Sequence, residues 1–308
     1  MLKFNLAMKH LIITFLVLFL IGCTSKTTDN EFNMDEDDSL IFVQVSQTVP
    51  DLVEEVIGSI PPPIELTSLI QGIGANYTKN ILNPTENVKN YNTNFKKALN
   101  LGIFAADLGY INLYEQNQDA LLYLNSVKKL ADDIRIGQYF NFETLRRLTN
   151  SGGNIDSLLY ITTSNFENMY HHLRDNDRTV LAILMLTGSW LEALHIATQI
   201  DKQNADKKWH KELSERIGEQ KITLDQIMIL LSVYQNDHSI IKLTSKLEKL
   251  KELFESVELK YVYEEPTFKE VDGMLIVQDH SKTIIKMDEE LLAKIISETE
   301  SIRETLIN

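Results

Sequence analysis

The chain has 308 residues, a formal charge of −14 and one cysteine. The excess of acid argues against nucleic acid as a partner and against a flat seat on anionic lipid. A lone cysteine leaves no disulfide framework, so stability has to come from a hydrophobic core, which a chain of this length can bury.

The N-terminus is read first. Lys3, Lys9 and His10 precede an unbroken apolar run at 11–21, LIITFLVLFLI. That run is too short to cross a bilayer comfortably, which takes about 20 residues. A basic start, a short apolar region and a small residue at 22 make 1–22 a secretory signal peptide. The residues around the cut, Leu20-Ile21-Gly22-Cys23, resemble the lipobox of bacterial lipoproteins. The resemblance implies that the Cys23 thiol is acylated, that the chain is cut before it, and that the new amino terminus is acylated too. One acyl chain holds a protein to a membrane only marginally, and two hold it stably. The covalent lipid is the only cofactor expected. Thr24 follows the cysteine where an aspartate would favour inner-membrane retention in enteric-type bacteria. By that resemblance the protein is exported and anchored in the outer membrane, facing the periplasm or the cell surface.

Residues 23–39 are polar and acidic with almost nothing to bury, and they read as a disordered tether. Asp35-Glu36-Asp37-Asp38 resembles the acidic surface-export tags of Bacteroidota-type lipoproteins, placed a dozen residues further from the cysteine. Asp38-Ser39-Leu40 and Asp156-Ser157-Leu158 resemble the O-glycosylation pattern of that group. Ser39, in the tether, is the better acceptor; Ser157 sits where a helix begins, with Asn154 as its cap.

Residues 40–308 read as a single, mainly α domain: a multi-helix bundle, a small C-terminal antiparallel β hairpin element at about 257–287, and a final helix. Residues 40–45, LIFVQV, suit a short strand. A short helix runs from 51 and stops at Gly58. Pro61-Pro62-Pro63 then leads into a helix at 64–75, and Asn83-Pro84 ends the next segment. Residues 95–115 are apolar nearly all round, which makes them a central helix. Helices follow at 117–134, 142–148 and 155–174. Another, at 179–200, is also apolar on every side. A charged helix at 205–217 is ended by Gly218, and helices at 223–234 and 240–258 follow. The period then changes to two. Residues 274–278 and 283–286 flank Asp279-His280-Ser281-Lys282 as the arms of a hairpin. A helix at 288–306 closes the domain. The stretch Asn100-Leu101-Gly102-Ile103-Phe104-Ala105-Ala106-Asp107-Leu108-Gly109-Tyr110 is similar to one found in uncharacterised helical lipoproteins of Bacteroidota. Ile60-Pro61-Pro62-Pro63-Ile64-Glu65 and the segment 190–199 fit the same group. That resemblance implies the location and no activity.

Several residues invite a chemical reading. Asp107 lies inside an apolar helix, where a carboxylate is costly unless paired or hydrogen-bonded. It is either a site residue or a polar knot between helices, and the knot is the commoner case. Glu192 and His195 form a Glu-x-x-His pair on another apolar helix. Di-iron bundles use that spacing, because i and i+3 project to one face, but they use it twice. Glu167 and His171, four apart on the preceding helix, complete such a site only loosely. Gly102, Gly109 and Gly188 offer either backbone access to a ligand or close helix crossing. The chain carries no H-E-x-x-H, no G-x-S-x-G, no Walker loop and no dinucleotide fingerprint.

These readings point to a lipid-anchored envelope protein that acts as a non-enzymatic helical binding or scaffold module. Its partners would be the membrane, through its lipid, and an envelope protein. The alternative is a metal-binding protein or enzyme with its site between the two apolar helices, at Asp107, Glu192 and His195. A third reading, capture of a small molecule or glycan, expects a pocket lined by tyrosines.

Overall fold

The computed structural model describes residues 51–151, 155–271, 274–278 and 281–308. The signal peptide, Cys23, the tether with Ser39, the candidate strand at 40–45 and the cap at Asn154 lie outside these residues. Helix α1 covers 51–59 and α2 Ile64–Gly72. Single turns of tighter helix at Lys79–Ile81 and Thr85–Asn90 carry the chain to α3, Asn94–Leu113. Then come α4 (Asn117–Asp133), α5 (Phe142–Ser151), α6 (Ile155–Asp175), α7 (Thr179–Gln203), α8 (His210–Ser232) and α9 (His238–Glu255). Four strands, β1 (Glu258–Val262), β2 (Thr267–Val271), β3 (Met274–Gln278) and β4 (Lys282–Lys286), precede the last helix, α10 (Glu289–Ile307). Residues Asp51–Asn308 form one compact unit.

Local chemistry sets the helix ends. Thr93 caps α3 by accepting from the Lys96 amide, Asp237 caps α9, and Asp288 caps α10 by accepting from the Leu291 amide. Four helices close in the same way, with a left-handed residue and a bond reaching back five positions. Gly74 supplies the left-handed position after α2. Glu115, Arg135 and Asp177 supply it after α3, α4 and α6, although each carries a side chain that glycine would spare.

The core is built around α3 and α7, the two helices apolar on every side, which share the most extensive interface in the bundle. A Cβ on Gly102 would collide with the Met185 carbonyl, and one on Gly188 with the Leu99 carbonyl. Two of the three glycines therefore serve the crossing, where the backbones touch. By length and composition α7 is apolar enough to span a membrane, but nearly all of it is buried inside the bundle, as befits a core helix.

Two expectations need correction. The charged helix at 205–217 and the helix at 223–234 are one element, α8, which runs through Gly218. Gly218 does not stop the helix; a Cβ there would press on Ile285 of β4, so the glycine makes room for the β element. The strands also pair differently from the simple hairpin of 274–278 with 283–286. β3 pairs with β2 and β4 with β1. Val271 pairs with Met274 and Thr267 with Gln278, while Val262 pairs with Lys282 and Glu258 with Lys286. Both ladders follow one antiparallel path, and the register steps by one between them, as at a bulge. Pro266, which cannot donate to a ladder, falls in that interruption. The base of this ribbon is anchored by buried Val257 and Ile285 and by Lys221, which donates to the Val257 carbonyl at 2.9 Å. Further out, Tyr261, Tyr263 and Phe268 are each more than 60% exposed.

Candidate functional site

The structure brings Asp107, Glu192 and His195 into one buried cluster and adds a residue the sequence reading lacked. Asp107 comes from the middle of α3, and Glu192 and His195 from one face of α7. Arg303 enters from α10 and is only 4% exposed. Its Nη2 donates to Glu192 Oε1 at 2.7 Å and its Nε to Oε2 at 2.9 Å, the two-pronged geometry a guanidinium makes with a carboxylate. Nη2 also reaches the Ile81 carbonyl at 3.1 Å. His195 Nε2 lies 3.1 Å from the same carbonyl, which makes Nε2 the protonated nitrogen. Nδ1 of His195 is left without a partner.

Asp107 lies close enough to Glu192 to feel its charge. Burial, and then the charge of Glu192, push the Asp107 carboxyl well above the usual carboxylate range, and Arg303 does not offset them. Burial also opposes the charge of Glu192, but Arg303 outweighs it and holds Glu192 below its ordinary value. The cluster therefore favours the proton on Asp107 and the charges on Glu192 and Arg303. Asp107 Oδ2 accepts from the Asn83 amide at 3.2 Å, while Oδ1 has no donor facing it, as suits the oxygen that carries the proton. Burial depresses His195 and keeps it neutral.

A second tier of polar contacts continues outward. Asn83 donates to the Tyr91 hydroxyl, and that hydroxyl donates to the Ile307 carbonyl at 3.1 Å. Asn100 donates to the Leu306 carbonyl at 3.1 Å. The last carbonyls of α10, which have no partner within the helix, are thus satisfied from α3 and the segment before it. Chemically, the arrangement neutralises buried charge and fastens α10 to the core.

Glu167 and His171 do not join the cluster. Both are exposed on α6, and His171 lies against the Tyr170 ring. His172 instead stacks on Tyr139, with ring centres 3.9 Å apart. Among the described residues no three His, Cys, Asp or Glu side chains come together as metal ligands. Ser157, the lesser glycosylation candidate, lies in the first turn of α6.

An enclosed space lies elsewhere. A recess of about 310 Å³ opens between the 57–64 segment, α3, α6 and α7. Its lining is mostly hydrocarbon, from residues such as Ile60, Pro63, Phe166 and Met185, and holds no tyrosine. Gly109, the third of the singled-out glycines, lines this recess; a Cβ there would meet only Ile64, at 3.5 Å. Of the two readings offered for these glycines, close crossing applies at Gly102 and Gly188, whereas Gly109 faces open space.

No family model, no curated protein and no solved structure matches this chain.

Proposed function

We propose that the protein is a lipid-anchored envelope component, acylated on Cys23, that works as a non-enzymatic binding or scaffold module. The ionisable residues that suggested catalysis are consumed in fastening α10, with both Glu192 oxygens taken by Arg303. The observation that carries the module reading is the β ribbon. A two-stranded ribbon is marginal on its own. This one holds Tyr261, Tyr263, Phe268 and Val277 in solvent, and among the described residues no third strand pairs with either edge. Aromatic surface beside open strand edges is what a protein partner covers, by adding a strand or by packing on the face.

Crosslinking in intact cells, followed by recovery through a C-terminal tag, is expected to yield a stoichiometric envelope partner. The triple variant Tyr261→Ser, Tyr263→Ser, Phe268→Ser should lose that partner while melting within a few degrees of the parent. A partner retained by the folded variant would remove the ribbon from the reading. Cys23→Ser should abolish palmitate labelling and membrane retention, and a variant still labelled would overturn the lipoprotein assignment. The bare Nδ1 of His195 favours one second reading, a metal held near Asp107, Glu192 and His195. Near-stoichiometric iron, manganese or zinc, lost on Glu192→Ala with His195→Ala, would favour it.

A further inference from the structure

We propose that the recess between the 57–64 segment, α3, α6 and α7 binds a small molecule with one flexible hydrocarbon portion and an uncharged or cationic head. Its volume, about 310 Å³, lies at the lower end of small-molecule sites. That is room for about ten waters, yet water there would find few partners. Ser189 Oγ is committed to the Leu186 carbonyl at 3.0 Å, and the Asn165 side-chain oxygen accepts from the Asn141 amide at 3.3 Å. What the walls offer is hydrocarbon, including Met169 and Met185, whose unbranched side chains adapt to irregular ligands.

The emptiness comes from the sequence and not from steric need. Gly102 is required where α3 meets α7, but Gly109 is not, since a Cβ there makes only ordinary contact with Ile64. A larger residue at 109 would be a better helix former and would fill the space. Ala105, one turn away on the same helix, is also small and lines the recess too. Among the described lining residues Glu167 alone is charged, and it is exposed. A free carboxylate or phosphate head would meet that charge and a strongly acidic surface, whereas an alcohol or an amine would not.

The test uses the mature chain from residue 24, without the signal peptide and Cys23, so that no apolar leader, acyl chain or detergent competes. N-phenyl-1-naphthylamine should bind saturably with a rise in fluorescence. Dodecanol and dodecylamine should displace it, and dodecanoate should do so at least tenfold less well. Glu167→Gln should narrow that gap. Gly109→Leu and Ala105→Phe should weaken probe binding at least tenfold while melting at or above the parent temperature, and Gly109→Ala should still bind. Absence of saturable binding, or binding retained by folded Gly109→Leu and Ala105→Phe, overturns the proposal. So does uptake only after removal of residues 24–49, which would give the recess to the chain's own upstream segment. Equal displacement by dodecanoate and dodecylamine overturns the assignment of the head group.

Discussion

At Asp107 the surroundings choose the protonation state. Burial and the neighbouring charge of Glu192 keep the proton on it, although an unfolded aspartate would release it near pH 3.9. A carboxyl group with a raised folded pKa gives the fold an advantage at low pH. That advantage shrinks as pH climbs from the unfolded value towards the folded one. Glu192, held low by Arg303, works the other way: its contribution is present above the unfolded pKa and is lost as pH falls through the folded one. Asp107→Asn keeps the shape, offers an amide donor to Glu192 and still accepts from the Asn83 amide. It should melt close to the parent at pH 5 and gain on it towards pH 8. Asp107→Ala should cost about 1–3 kcal/mol, the penalty for stranding buried partners. Urea denaturation of both variants across that range is the check, and an asparagine as damaging as the alanine would contradict a protonated Asp107. Reading a carboxylate on an apolar helix as a polar knot was within reach of the sequence. Arg303 was also within reach, though it was missed. Leu292, Ile296, Thr299, Arg303 and Leu306 fall on one stripe of α10, so helical spacing alone places the arginine on the buried face.

Helix α10 is an element whose docking depends on polar contacts at both ends. Near its C-terminus Arg303 grips Glu192, while Asn100 and Tyr91 take the last carbonyls. Arg303→Met should therefore cost about 3–5 kcal/mol, because it leaves Glu192 buried and uncompensated. Adding Glu192→Gln should recover much of that loss, and a thermodynamic cycle from chemical denaturation would measure the coupling. At the other end His210 of α8 lies 2.8 Å from Asp201 of α7 and 3.2 Å from Glu289 of α10. Burial lowers its pKa, but the contacts with Glu289 and Asp201 outweigh burial and raise it. A histidine so raised lends stability below its unfolded pKa near 6.5, and that stability fades as pH rises through the folded value. His210→Gln should thus be more costly at pH 5.5 than at pH 8.5, by melting temperature relative to the parent; a larger loss at pH 8.5 would reverse the assignment. The pairing of the strands escaped the sequence for a different reason. Asp279-His280-Ser281-Lys282 has turn-like composition and drew the hairpin arms to 274–278 and 283–286, yet β3 pairs with β2, as far as Val271 with Met274. Gly218 misled in the same way, since a glycine that makes room for a neighbour looks, in one dimension, like one that ends a helix.

For the molecule as a whole, the helical spacing and the switch to alternation at Val257 made the order of elements legible. The recess was not legible, because it is a shape left between segments far apart in the chain and no local pattern encodes a gap. Nor was the way the last helix closes the core. The contacts that settle the buried cluster join positions far apart along the chain. Arg303 and Glu192 are 111 residues apart, Tyr91 and Ile307 are 216, and Arg303 and Ile81 are 222. Such separations make closure slow, since a long loop must be ordered before the contacts repay it. Until residue 303 has left the ribosome, Glu192 lacks its guanidinium partner, and closing the α3–α7 core around it is costly. The core around α3 and α7 is therefore expected to close only after the segment carrying Arg303 has been made. An open core is the condition in which a polypeptide can still be threaded through a narrow pore, and in which it most needs a chaperone to keep α3 and α7 from finding other company.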